Sequence, residues 1–120
     1  MGDRLSNNFL RSEFECRCGC GQDTVDIELI RLCEEVREFE GESIAPSSGN
    51  RCTTHNKKEG GGKKSQHLYG RAADLPVKNS LLVYNWLCRM YPDQYGFGLY
   101  NSFVHVDSRS GKARWDFRNK

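Results

Sequence analysis

The stretch Gly96-Phe97-Gly98-Leu99-Tyr100-Asn101-Ser102-Phe103-Val104-His105-Val106-Asp107 reads as two strands joined by a tight turn at Asn101-Ser102. Residues two apart in a strand share a face, so Asp107 points to the same side as His105. Working outward, a further strand is expected around Ala72-Ala73-Asp74-Leu75, and a last short one near Ala113-Arg114-Trp115-Asp116. Residues 25–40 read as a helix, with Thr24 as N-cap and Asp26 and Glu28 in the first turn. Its apolar residues Leu29, Leu32, Cys33, Val36 and Phe39 recur at three- and four-residue steps, and Gly41 is placed to end it. A second helix is expected over about 81–91, capped by Ser80, with Leu81, Tyr84, Leu87, Cys88 and Tyr91 on its apolar stripe. Ser43-Ile44-Ala45-Pro46-Ser47 reads as a short strand, where Pro46 is tolerable only at an edge or end. A long loop, Ser48 to Ser65, follows, and a loop of that length in a small domain is usually functional. The order implies an α+β fold: a small antiparallel sheet with helices packed on one face.

The chain has 120 residues, 37% of them hydrophobic, enough for one modest core and one domain over 1–120. Residues 1–22 look irregular and cysteine-rich. A net charge of +2 does not announce a nucleic-acid binder, and no apolar run approaches a membrane span. The N-terminus, MGDRLSNNFLRSEFE, shows no apolar leader, so cytoplasmic synthesis without an export signal is expected. That compartment favours reduced thiols or a metal over disulfides for the six cysteines.

Chemistry concentrates in three segments: Ser48-Gly49-Asn50-Arg51, Ser65 to Asp74, and Phe103 to Asp107. A catalytic zinc needs three protein ligands and one open position. His67, Asp74 and His105 supply two imidazoles and a carboxylate from different elements. With sixteen acidic residues in 120, a carboxylate seven positions after a histidine is common by chance, so the spacing alone is unspecific. On that basis the plainer reading is of His67 and His105 as ordinary polar residues and Asp74 as a loop cap.

Ser65-Gln66-His67-Leu68-Tyr69-Gly70-Arg71-Ala72-Ala73-Asp74 matches every fixed position of Ser-x-His-x-x-Gly-x-Ala-x-Asp. That is the signature of the D-alanyl-D-alanine carboxypeptidase family of zinc peptidases, which the sequence resembles from about residue 9 to 109. These peptidoglycan hydrolases include phage endolysins and vancomycin-resistance D,D-dipeptidases, and their fold is shared with the signalling domain of hedgehog proteins. Ser48-Gly49-Asn50-Arg51 resembles the family's Ser-Gly-aromatic-Arg, with Asn50 replacing the aromatic. The Gly96–Tyr100 and Phe103–Asp107 segments resemble one branch, whose members also carry a Cys-x-Cys-Gly-Cys run like Cys16 to Cys20.

The resemblance implies that His67, Asp74 and His105 bind one catalytic zinc and that Arg51 contacts the substrate's carboxylate or the carbonyl under attack. Many members place a general-base Glu three residues before the last His; that position here is Ser102, which cannot take a proton from water. Asp107 is then the best base candidate, its alternative being a carboxylate that orients a ligand imidazole. His55 either assists the proton or the oxyanion or is a loop histidine. Ser65 and Gln66 shape the loop or meet the substrate, and Tyr69 and Tyr100 flank the groove. The other aromatics, Phe9, Phe14, Trp86, Phe97 and Trp115, are core by default. Lys57, Lys58, Lys63 and Lys64 form a basic loop, solvated or in contact with an acidic peptide stem.

Zinc ribbons favour Cys-x-x-Cys over Cys-x-Cys, so the six cysteines read first as reduced, mostly buried thiols. A second, structural metal site and disulfides are the alternatives. The expected function is zinc-dependent hydrolysis of a peptide bond in the peptidoglycan stem, by D-Ala-D-Ala carboxypeptidase or endolysin-type endopeptidase action. The expected enzyme is a monomer without nucleic-acid or membrane partners, reaching the wall after release as a phage or prophage lysin or as part of a larger assembly. Its rivals are an inactive zinc-containing binding module and a zinc-free phage structural protein.

Overall fold

A computed structural model describes residues 3–60 and 65–118. The helices are α1 (Ile27–Glu40), α2 (Thr53–Lys58) and α3 (Ser80–Met90), and the strands are β1 (Ala72–Pro76), β2 (Tyr95–Leu99), β3 (Phe103–Asp107) and β4 (Lys112–Asp116). Two 3-10 turns, Arg11–Phe14 and Gln66–Tyr69, complete the set. The fold is α+β, with the four strands in the order β1-β3-β2-β4.

The pairings β1–β3 and β2–β3 are antiparallel, whereas β4 runs parallel to β2. Both edges of β3 are taken, so the chain leaving Asp107 cannot fold back on it. It crosses the start of β2 and enters the free edge there, with Lys112 opposite Tyr95. The sheet is therefore mixed, where the sequence pointed to an antiparallel one.

Alternation sorts the strands into two faces. Ala73, Leu75, Phe97, Val104 and Val106 form one core cluster with Leu29, Leu32, Cys33 and Val36 of α1 and Val83 and Leu87 of α3. Fully burying each such aliphatic side chain contributes about 1.5–3 kcal/mol relative to leaving it exposed. The opposite face carries Asp74, His105, Asp107, Gly96 and Gly98, and its register sets Asp74 and Gly98 on either side of His105. The two glycines make room: a Cβ at 96 would lie 2.3 Å from Asp107 Oδ2, and one at 98 would lie 2.3 Å from Trp115 Nε1.

Several boundaries differ from the sequence reading. Helix α1 begins two residues late, with Asp26 at its N-cap position. The Asp26 N–H bonds Gly70 O at 2.9 Å, and Thr24 O accepts from the Asn50 amide, so this segment stays extended. Helix α3 is capped by Asn79, whose side chain accepts from Leu82 N at 3.1 Å. Ser80 instead donates to Tyr100 O at 2.6 Å, tying α3 to the β2–β3 turn. Residues 43–47 form no strand; at their end Ser47 N bonds Asp74 O at 2.9 Å and Ser48 makes an isolated bridge with Asp74 of β1. The long loop contains α2, whose Thr-Thr-His-Asn-Lys-Lys sequence carries no apolar periodicity. Of its basic residues, Lys57 and Lys58 are exposed on α2, while Lys63 and Lys64 lie outside the described residues, as do Gly61 and Gly62.

Candidate metal centre

His67 sits in the 3-10 turn that Ser65 caps by accepting from His67 N at 3.3 Å. Its Nδ1 is 2.6 Å from Gly49 O. A carbonyl only accepts, so Nδ1 carries the proton and the Nε2 lone pair is free. Nε2 lies 3.4 Å from Asp74 Oδ1 on β1. Across the β1–β3 pairing, His105 Nδ1 lies 3.2 Å from the same oxygen. His105 Nε2 is 2.7 Å from Asp107 Oδ2, which fixes the ring and leaves Nδ1 to face Asp74.

His67, Asp74 and His105 are all buried, and their ligand atoms lie within 4.8 Å of one another. A tetrahedral zinc with bonds of about 2.0–2.1 Å spaces its ligands about 3.3 Å apart. The 3.4 and 3.2 Å separations match that spacing, and two imidazoles with one carboxylate are zinc's usual donors. The residues fit the ion.

Electrostatics support the same grouping. Burial pushes the Asp74 carboxyl up, but the His105 and His67 imidazoles that face it outweigh burial and hold the group well below the usual carboxylate range. Burial pulls His105 down, yet the Asp107 and Asp74 carboxylates leave it above its ordinary value. A proton and a metal therefore compete for His105.

Arg51 is brought to the site. Its Nη2 is 3.3 Å from Asp74 Oδ2, while Nε donates to Ser48 Oγ at 3.1 Å and Nη1 to Asn56 Oδ1 at 3.4 Å. Asp74 thus presents one oxygen to the histidines and the other to the guanidinium. Asn50, where the resembling family has an aromatic, is buried; it donates to Phe14 O at 3.0 Å and accepts from Gln22 Nε2 at 3.2 Å. It knots the Arg51 loop to the N-terminal segment.

A cleft of about 260 Å³ opens over the triad, walled by Arg51, Gln66, Tyr100, Arg109, Trp115 and Phe117. Ser65, Gln66 and Tyr100 all border this cleft. Tyr100 stacks on Phe103 at 4.2 Å, and its hydroxyl accepts from Trp115 Nε1 at 3.0 Å. Tyr69 instead is 55% exposed and lines a neighbouring cavity of about 720 Å³ with Gln22, Arg51 and Leu68. His55 lies on α2 and lines neither cavity.

Asp107 is placed differently from a base. It is 0% exposed and lies behind His105, away from the cleft. Arg109 grips both its oxygens, Nε to Oδ1 and Nη2 to Oδ2, each at 2.7 Å. Burial raises its carboxyl, but the His105 and Arg109 hydrogen bonds hold it well below the usual range. A carboxylate so engaged orients an imidazole rather than taking a proton from water.

Sequence reasoning passed over Arg109 and read Trp115 as core. Arg109 holds Asp107 and lies 5.6 Å over the Trp115 ring, and that ring packs 4.8 Å from His105. The available signal was the place of Arg109 two residues after Asp107, within reach of its carboxylate. The aromatics divide likewise: Phe9, Phe14 and Phe97 are core, whereas Trp86 is half-buried against Phe39, stacked at 4.4 Å.

No curated protein matches the chain significantly. The family model described as Peptidase M15 matches residues 7–107, a span that contains His67, Asp74, His105 and Arg51. The chain belongs to the Peptidase M15 family of zinc metallopeptidases.

Proposed function

We propose that this chain hydrolyses a peptide bond of the peptidoglycan stem, as a D-alanyl-D-alanine carboxypeptidase or an endolysin-type endopeptidase. The observation that carries the reading is the His67–Asp74–His105 cluster with the Arg51 guanidinium at its edge. His67, Asp74 and His105 would hold zinc, which would supply a Lewis acid for the scissile carbonyl and for water. Arg51 holds Asp74 by one nitrogen and borders the cleft, where a fixed fork suits a substrate carboxylate or a developing oxyanion. The Tyr100 hydroxyl, fixed by the Trp115 indole, keeps its own proton to donate to a bound peptide. Gln66 lines the cleft, and among the described residues its buried Oε1 has no hydrogen-bond partner. His105 is held by Asp107, which Arg109 grips in turn, and Trp115 packs against its ring. The partner is the stem peptide, met at the cell wall after the chain's release.

One observation favours a second reading, a zinc-bearing binding module. Among the described residues of the cleft, Asp74 is the only carboxylate, so no acid other than a ligand awaits the proton of the attacking water. Incubation of zinc-loaded protein with stem peptides ending in D-Ala-D-Ala and with intact sacculi, read by mass spectrometry, separates the two. Cleavage by the wild type that is lost in His67→Ala supports the peptidase. Binding of sacculi without any cleavage refutes it and supports the module.

A further inference from the structure

Apart from the histidine cluster, four cysteines converge. Cys16, Cys18 and Cys20 come from the N-terminal segment and Cys52 from the residue after Arg51, and their sulfurs lie within 4.8 Å of one another. The Cys16 and Cys18 sulfurs are 3.4 Å apart, and those of Cys18 and Cys52 are 3.5 Å apart. All four are free thiols. A tetrahedral zinc with Zn–S bonds of about 2.3 Å spaces its sulfurs about 3.8 Å apart, so a small expansion of this cluster accommodates the ion.

We propose that Cys16, Cys18, Cys20 and Cys52 form a second metal site, taking one zinc ion as a four-thiolate structural centre. The backbone is shaped for it. Gly19 and Gly21 adopt φ of 84° and 90°, which turn the chain tightly enough for three alternate cysteines to face one point. Cys16 N bonds Gln22 O at 2.8 Å and Gly19 N bonds Cys16 O at 3.2 Å, closing that turn. Two backbone N–H groups already point at sulfur: Cys52 N donates to Cys16 Sγ and His55 N to Cys52 Sγ, each at 3.4 Å. Such donors stabilise a thiolate. Cys18 and Cys20 are exposed, so the ion has an open way in, and thiolates select zinc over hard cations. Each thiol gives up its proton on binding, and no oxidant is needed.

The site links positions far apart in the chain. Cys52 caps α2 and adjoins Arg51, whose N–H bonds His67 O at 3.0 Å. The second ion thus staples the N-terminal segment to the loop that carries Arg51.

Metal content of the full chain tests the proposal apart from the peptidase reading. Wild type is expected to hold about two zinc ions, and His67→Ala/Asp74→Ala and Cys18→Ser/Cys20→Ser about one each. Replacement of zinc by Co(II) supplies a readout on the unaltered protein, since sulfur-to-cobalt charge transfer in the near ultraviolet arises only from thiolate ligands. That absorption is expected in wild type and in the His67/Asp74 variant. About one zinc in wild type, unchanged by the cysteine substitutions and without the cobalt absorption, overturns the proposal. So does a loss of mass that shows the thiols joined as disulfides in the purified chain. Failure of the triad instead leaves the thiolate absorption in place and the His67/Asp74 substitutions without effect on metal content.

Discussion

Replacing Asp107 by Asn separates the two roles open to that residue. The side chain is fully buried, and both its oxygens accept from Arg109 while Oδ2 also accepts from His105. Asn has one acceptor oxygen and one NH₂ group. Whichever way it turns, the NH₂ meets an Arg109 N–H, because Nε faces Oδ1 and Nη2 faces Oδ2. If the oxygen stays with Arg109 Nη2 and His105, the pair with Nε is lost; if it turns to Nε, His105 loses its anchor. Loss of such an anchor behind a metal-binding histidine lowers metal affinity about 10–100-fold, or about 1.4–2.7 kcal/mol. Arg109 stays partly solvated, so the added cost to folding is about 1–3 kcal/mol. The assay is a competitive zinc titration against a chelator, with kcat measured at saturating zinc. Weaker zinc binding with kcat largely restored by excess zinc is the expected result. Unchanged zinc affinity with kcat down about 10²–10⁴-fold would refute the orienting role and return Asp107 to the proton transfer.

Gly98→Ala puts a Cβ 2.3 Å from Trp115 Nε1 and 2.4 Å from its Cε2, forcing the indole off His105. A thermal melt should show a loss of about 1–3 kcal/mol, with a shift in tryptophan emission. Arg51→Lys keeps the charge but not the fork that bridges Asp74, Ser48 and Asn56. Cleavage of stem peptides should fall about 10²–10³-fold in kcat/KM, with little change in the melt. Glu34 accepts from Ser6 Oγ at 2.5 Å and from Asn8 N at 2.8 Å, holding the N-terminal segment on α1. Burial raises its carboxyl, but the Asn8 and Ser6 hydrogen bonds outweigh it and leave the group below its ordinary value. The stability it contributes is present above the unfolded pKa and is lost as pH falls through the folded one. Hydrogen exchange at Ser6–Asn8 should therefore accelerate below about pH 4, and Glu34→Gln should remove that step.

Where short-range pattern and tertiary demand agree, the elements were legible. Phe103–Asp107 forms the strand its sequence describes, and Gly41 takes the left-handed φ of 77° expected of a helix end. The two strands that carry Asp74 and His105 were read from their residues alone, whereas the register that sets them opposite one another comes from the fold. Pairing across long separations was not legible. The parallel placement of β4 depends on which sheet edge remains free, and α2 is too short and polar to show a period. Cap choice was also decided from outside the local sequence: Ser80 looks like a cap but is drawn to Tyr100 O, leaving Asn79 the role. Of the candidate metal ligands, His67 and Asp74 were picked out by the spaced Ser-x-His-x-x-Gly-x-Ala-x-Asp pattern and His105 by the resemblance of the strand that follows, not by periodicity. Asp107 shows the limit of face arguments, since sharing a side with His105 does not tell whether a carboxylate faces the cleft or lies beneath the imidazole. The cysteines show another: Cys52 lies 34 residues from Cys18, and only the fold brings their sulfurs together.

The most direct test of the metal centre is anomalous diffraction at the zinc edge from crystals of the zinc-loaded chain. An anomalous peak is predicted about 2.0–2.2 Å from each of His67 Nε2, Asp74 Oδ1 and His105 Nδ1. Density with no peak among these three residues, or with His105 bound through Nε2 and Asp107 turned away, would contradict it.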